Sequence, residues 1–134
     1  MDIKNLIIAK GHSGFWIFRG SNEKSGMLWL EDATGEKPSM FVKRVDCSPV
    51  EGYTIFMADG ESISLEDVFN NLIAIEDAGR TVQTKDVSEA DLIELMHVVA
   101  PGFDSTRFKP FHMRNILKWY GWLMTCIDRI ADIK

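Results

Sequence analysis

Cysteine and histidine are scarce in this sequence of 134 residues. The two cysteines, Cys47 and Cys126, lack the close spacing of a metal-binding or redox motif, so we expect reduced thiols rather than a disulfide. The three histidines, His12, His97 and His112, show none of the short spacings by which zinc sites are recognised. The sequence therefore predicts neither a metal site nor a cofactor.

Long hydrophobic runs are missing as well. Near the N-terminus the only apolar run is Leu6–Ala9, which is shorter than the core of a signal peptide. No later run approaches the roughly 20 residues that a membrane-spanning helix needs. We therefore expect a cytoplasmic protein that has no membrane partner.

Catalytic signatures are also lacking. The segment Gly11-His12-Ser13-Gly14 is one residue shorter than the G-x-S-x-G of a nucleophile elbow, and a predicted strand follows it where the elbow would have a helix. It is more typical of a tight turn. Acid and base groups that meet only in three dimensions leave no trace in one sequence, so enzymatic activity stays open, but the sequence favours a non-enzymatic protein.

The chain has the composition of a folded protein, with 46% apolar and 26% charged residues. Residues 1–60 alternate between short apolar segments and turn residues, which predicts a small antiparallel, SH3-like β-barrel. In Phe15–Phe18 both alternating faces are apolar, so we expect the following helices to cover the second face. The predicted strands are Leu6–Ala9, Phe15–Arg19, Met27–Glu31, Ser39–Lys43 and Tyr53–Met57.

Residues 61–134 carry the signals of three helices. Ser64 followed by Asp67, and Ser88 followed by Asp91, resemble helix N-caps, and a long amphipathic helix is predicted from Pro110 onward. Residues 80–87 form a polar linker without a strong pattern. The predicted fold class is thus α+β, with a barrel-like subdomain over residues 1–60 and a helical subdomain over residues 61–134 packed on it.

Several short segments recur in a characteristic order and spacing, namely Met1–Lys4, Gly11–Trp16, Ser64–Phe69, Pro101–Asp104, Arg107 and Ile116–Tyr120. In these segments the chain resembles a family of small uncharacterised bacterial proteins, of Bacteroidetes type, known as a domain of unknown function. The resemblance implies a shared fold and no activity.

The terminal helix is apolar around more than half of its circumference, which is more than one contact surface needs. One face can seal the barrel while a flank meets a protein partner or a second copy of the chain. The candidate interaction surface consists of Trp119, Trp122, Cys126 and Ile133. The sequence therefore predicts a non-enzymatic protein-interaction or adaptor module.

Nucleic-acid binding is the alternative. The basic residues Arg107, Lys109, Arg114 and Lys118 are interleaved with aromatic residues that could stack on bases. The distribution of charge argues against nucleic-acid binding. Residues 61–100 carry 2 basic and 9 acidic side chains, whereas residues 101–134 carry 6 basic and 3 acidic side chains. The acidic segment 61–100 would repel a nucleic acid unless the basic residues of the following segment point away from it.

Overall fold

The computed structural model describes the backbone of residues 3–132 and the side chains of residues 3–130. Short strands occupy the first half of this range and helices the second. The elements in chain order are β1 Leu6–Ala9, β2 His12–Asn22, β3 Met27–Asp32, β4 Met40–Lys43, a 3-10 turn Arg44–Asp46, β5 Cys47–Pro49, β6 Thr54–Phe56, β7 Ser62–Ser64, α1 Leu65–Asp77, α2 Glu89–Val99 and α3 Pro110–Asp132.

The chain forms two compact units. The first, which we call the sheet unit, contains the chain up to Gly52 and the chain from Trp122 onward. The second, which we call the helical unit, is Tyr53–Gly121. The sequence predicts a boundary at residue 60, whereas the chain changes unit after Gly52 and changes back within α3. The second change occurs because the C-terminal turns of α3 pack on the sheet.

The sheet unit holds one antiparallel sheet with the strand order β4–β3–β2–β1–β5. Among the described residues no ladder joins β4 to β5, so the sheet is open and the closed barrel expected from the sequence is not observed. Its fifth strand is also not the predicted Tyr53–Met57 but Cys47–Pro49, from a stretch expected to be loop. Because β5 is an edge strand paired only with β1, it tolerates a proline and needs no apolar alternation.

Both faces of this sheet are buried at Phe15, Trp16 and Ile17 of β2, and we call the face that carries Trp16 the inner face and the face that carries Phe15 the outer face. On the inner face, Trp16 joins a core cluster with Leu28, Leu30 and Val42. On the outer face, Phe15 meets Trp122 of α3 edge to face, with ring centroids 5.6 Å apart. The prediction that a later helix covers the second face of β2 is confirmed.

In the helical unit the predicted helix starts are confirmed. The Ser64 hydroxyl accepts a hydrogen bond from the Asp67 amide at 3.1 Å, and the Ser88 hydroxyl accepts one from the Asp91 amide at 3.2 Å. Each cap satisfies an amide that has no partner inside the helix, which is worth about 1 kcal/mol. The strands β6 and β7 form a separate two-stranded sheet that leads into α1. The buried positions of α1 and α2 are Leu65, Val68, Phe69, Leu72, Leu92, Met96 and Val99.

The linker over residues 80–87 packs within the helical unit. Val82 is buried, and the Val87 carbonyl accepts a hydrogen bond from the Arg114 guanidinium at 2.8 Å. Thr84 lies beside Gly121, because a Cβ added to Gly121 would be 3.6 Å from the Thr84 hydroxyl oxygen. The polar sequence of this linker gave no sign of these contacts, because they depend on partners in α3.

Candidate functional site

The interaction residues predicted on the terminal helix lie in different surroundings. Trp119 is half-buried and meets Tyr53 edge to face at 5.2 Å between ring centroids, within the helical unit. Trp122 is half-buried against Phe15 in the sheet unit. Cys126 retains 3% of its surface, and Ile133 lies outside the described residues. Trp119, Trp122 and Cys126 of the predicted interaction surface thus already pack against other residues of the same chain.

Burial also governs the chemistry of Cys126. Its thiol donates to the Trp122 carbonyl at 3.3 Å. Burial, helped by the nearby Asp32 charge, raises the pKa of Cys126 to about 11. Because the thiolate is the reactive form, this residue is an inert packing cysteine in the folded protein.

The four predicted nucleic-acid contacts are all exposed. The Arg107 guanidinium carbon lies 3.7 Å from the centre of the Phe56 ring, and Arg114 donates to the Val87 carbonyl. Lys109 directly precedes α3, and Lys118 lies in the middle of that helix.

The most exposed aromatic pair of the sheet unit was not predicted as a site. Trp29 on β3 stands directly opposite Phe41 on β4, and their rings stack with centroids 5.9 Å apart and an interplanar angle of 23°. Trp29 remains 47% exposed and Phe41 63% exposed. On its other side Trp29 is in register with Gly20 of β2, which has no side chain to cover the indole. The C-terminal turns of α3 cover one end of the outer face, and this pair stays uncovered.

Basic groups border the aromatic pair. The Arg19 guanidinium binds Glu31 at 2.6 Å, and Arg129 of α3 binds the other oxygen of the same carboxylate. These contacts lower the pKa of Glu31, and the hydrogen bond from Arg19 has the largest effect. Lys43 shares the outward side of β4 with Phe41. Arg19, Arg129 and Lys43 are three cations against the one carboxylate of Glu31, so these four side chains together carry a net positive charge.

We call these residues the outer-face patch. It consists of Met27, Trp29 and Phe41 with the flanking Arg19 and Lys43. Strand alternation places Met27, Trp29 and Glu31 on one side of β3, and the register places Lys43 opposite Met27. The patch is therefore a flat aromatic surface with cationic edges.

Asp32, at the end of β3, is the one charged side chain that is buried among the described residues, with 2% of its surface exposed. Its carboxylate accepts hydrogen bonds from the Thr34 amide at 3.2 Å and hydroxyl at 2.7 Å, the Glu36 amide at 3.1 Å and the Lys37 amide at 2.8 Å. Burial alone would raise the pKa of Asp32, but these bonds outweigh it and the pKa is lowered. The carboxylate thus holds the β3–β4 loop in place.

The turn predicted at Gly11–Gly14 lies one residue earlier, at Lys10-Gly11, and His12 and Ser13 already belong to β2. Gly11 has a φ of +81° and joins β1 to β2, which begins at His12. The Ser13 hydroxyl accepts a hydrogen bond from the Lys37 ammonium at 3.3 Å. Across residues 3–130 no three histidine, cysteine or acidic side chains are grouped so that they could hold a metal ion. Within the same range, none of the helices is long and apolar enough to cross a membrane.

In the part of the chain that the structure describes, the geometry is that of an α+β protein with an open five-stranded sheet and three helices. The chain belongs to the domain of unknown function family DUF6852, whose model matches residues 53–123. It is also similar to a protein from Bacteroides vulgatus solved by solution NMR, with a TM-score of 0.72 and 18% identity over 95% of this chain and 89% of that one. That identity supports a shared fold and nothing more. No curated protein matches the chain. The resemblance to a Bacteroidetes-type domain of unknown function is thereby confirmed.

Proposed function

We propose that the protein is a non-enzymatic interaction module that binds a partner protein through the outer-face patch. The observation that carries this proposal is the stacked pair of Trp29 and Phe41, left 47% and 63% exposed on a sheet face whose other end is covered. Aromatic side chains supply large contact area at little cost in conformational freedom, and tryptophan is among the residues that most often dominate binding energy.

The charge on the patch indicates what kind of partner fits. Arg19 and Lys43 flank the aromatic pair, so an acidic segment that presents an apolar side chain would complement both parts. A second copy docked symmetrically would place the same cationic groups opposite each other, which is unfavourable. We therefore commit to an acidic partner protein.

The terminal helix has a smaller part in this proposal than the sequence suggested. Trp122 and Cys126 already pack in the sheet unit, so the contact surface moves from α3 to the outer-face patch. Trp119, half-buried in the helical unit, stays a candidate contact. The free thiols of Cys47 and Cys126 support residence in the reducing cytoplasm.

The finer description of the sheet as SH3-like is also proposed. Its support is the antiparallel order β4–β3–β2–β1–β5 together with the 3-10 turn Arg44–Asp46 that connects the two edge strands. Many unrelated functions share such small sheets, so this likeness supports an interaction role only by analogy.

The experiment compares affinity purification of the wild type with that of the double variant Trp29→Ser and Phe41→Ser. A matched control is Val98→Ser, which alters an apolar side chain of similar exposure, 56%, in the helical unit. We expect an acidic partner to be retained by the wild type and the control, lost by the double variant, and weakened by salt. A partner that the double variant retains in full would contradict the proposal. Light scattering of the purified protein separates self-association from binding of another protein.

Nucleic-acid binding through Arg107, Lys109, Arg114 and Lys118 is the second proposal, supported by the exposure of all four residues. Nuclease treatment during the purification tests it, because material that disappears with nuclease is held through nucleic acid. Direct titration of a labelled oligonucleotide at low salt, with Lys109→Gln and Lys118→Gln as variants, then locates the contact. An absence of binding at low salt would end this alternative.

A further inference from the structure

A pocket of about 480 Å³ opens in the sheet unit between the β1–β2 turn and the β3–β4 loop. Its lining combines cationic, hydroxyl and apolar groups, and it belongs neither to the outer-face patch nor to the basic residues of α3. The lining residues that matter are His12, Ser13, Trp16, Lys37, Ser39 and Met40.

Lys37 is held in position at this pocket by neutral acceptors. Its ammonium donates to the Ser13 carbonyl at 3.2 Å and to the Ser13 hydroxyl at 3.3 Å, and it lies 5.6 Å from the centre of the Trp16 ring. Within residues 3–130 no carboxylate is in ion-pair distance of it. An ammonium has three N–H donors, and two are used here. The remaining donor and the positive charge are available to a ligand.

The acidic groups nearest in sequence do not cancel this charge by a direct contact. The Lys37 charge helps to lower the pKa of Asp32, but the buried Asp32 carboxylate forms no ion pair with the ammonium and accepts its bonds from the loop amides and the Thr34 hydroxyl. Glu36 is exposed. The ammonium is therefore a fixed cation above an aromatic surface.

Trp16 adds an independent observation. Its side chain lines the pocket and is 3% exposed, and its indole N–H has no hydrogen-bond acceptor among the described residues. A buried N–H without an acceptor is costly, and each such group in a folded protein needs an explanation. His12 meets the same indole edge to face at 6.2 Å between ring centroids.

We propose that this pocket binds a carboxylate attached to an apolar or aromatic group. Lys37 binds the carboxylate, the Ser39 hydroxyl lies on the same lining as a further donor, and Met40 contacts the apolar part. A single ammonium matches the charge of one carboxylate. Arginine or several convergent amide donors bind a phosphate dianion better than one ammonium does, and the pocket lining includes no arginine.

The test is a titration of the 15N-labelled protein with phenylacetate, with the neutral phenylacetamide as the matched probe. The Trp16 indole N–H and the amides of Ser13, Lys37 and Ser39 report binding at the pocket, and a Trp16→Phe variant assigns the indole signal. For a ligand of this size we expect a dissociation constant of about 10 mM. We expect phenylacetamide to bind at least about tenfold more weakly, because it lacks the charge.

Variants connect the binding to Lys37. Lys37→Gln is expected to weaken phenylacetate binding about tenfold, and Lys37→Arg is expected to retain binding because a guanidinium also pairs with a carboxylate. Lys24→Gln removes an exposed lysine from the β2–β3 turn and serves as the control for net charge. The amide spectrum of each variant shows directly whether it is folded.

A second arm separates the two sources of such a carboxylate. A capped peptide containing Phe-Glu is compared with the same peptide containing Phe-Gln. Tighter binding of the Phe-Glu peptide than of phenylacetate assigns the pocket to acidic peptides, and the reverse assigns it to a free carboxylic acid. Equal shifts with phenylacetamide, unchanged binding in Lys37→Gln, or no shift at the pocket with either acid would overturn the proposal.

Discussion

Replacing Asp32 with alanine is expected to destabilise the sheet unit by about 3 kcal/mol. The carboxylate accepts four hydrogen bonds from the β3–β4 loop while only 2% of the residue is exposed. Hydrogen bonds to a charged group contribute about 1.5–3 kcal/mol each, but the Glu36 and Lys37 amides belong to exposed residues and regain water when the carboxylate is removed. The net loss is therefore well below the sum of four bonds.

The measurement is urea unfolding followed by tryptophan fluorescence. With a slope of about 2 kcal/mol per molar urea, a loss of this size lowers the midpoint by about 1.5 M. Glu51→Ala, which removes an exposed carboxylate from the same unit, is expected to stay within about 0.5 kcal/mol of the wild type.

The effect of Asp32 depends on pH in a defined direction. Its pKa in the folded protein lies below the ordinary value of 3.8, so the ionised carboxylate stabilises the folded state. The stabilisation is complete above the pKa of the unfolded chain and is lost as the pH falls through the lower pKa of the folded state. The difference between wild type and Asp32→Ala should be constant from pH 5 to 7 and shrink below about pH 4. A difference that persists unchanged to pH 2, or none at pH 7, would refute this reasoning.

Two further predictions concern burial. Burial raises the pKa of both thiols, that of Cys126 to about 11, but Cys47 is only half-buried whereas Cys126 is buried. At pH 8 Cys47 should therefore react slowly with a disulfide reagent in the folded protein, and Cys126 should react only after denaturant is added. Equal reaction rates of the two thiols would contradict the packing of α3 on the sheet. Phe69→Ala removes a fully buried ring from α1 and should cost about 4 kcal/mol, measured by thermal unfolding. Phe111→Ala, which removes a ring that is 62% exposed, should cost less than about 1 kcal/mol, and similar losses for both would be inconsistent with the described core.

Local signals carried most of the fold prediction. Ser64 and Ser88 marked helix starts because a cap is decided within four residues of sequence. The two apolar faces of Phe15–Phe18 required a covering element, and α3 supplies it. The strand β5 was missed because its pairing with β1 depends on backbone hydrogen bonds, to which the sequence Cys47-Ser48-Pro49 gives no clue.

The outer-face patch could not be predicted for a related reason. In Met27-Leu28-Trp29-Leu30 both alternating sets are apolar, so the sequence does not say which set faces outward. The exposure of Trp29 depends on its register with Gly20 and on how far α3 extends over the sheet. Both depend on contacts between residues far apart in the sequence.

The division of α3 between two units affects how the protein can fold during synthesis. Phe15 leaves the ribosome early, but the helix turn that carries its partner Trp122 follows only after residues 53–121. At about 5–20 residues per second those 69 residues take roughly 3–14 s to translate. During that interval the nascent sheet presents an uncovered apolar face, which makes this stage of synthesis the one most exposed to aggregation and to capture by chaperones.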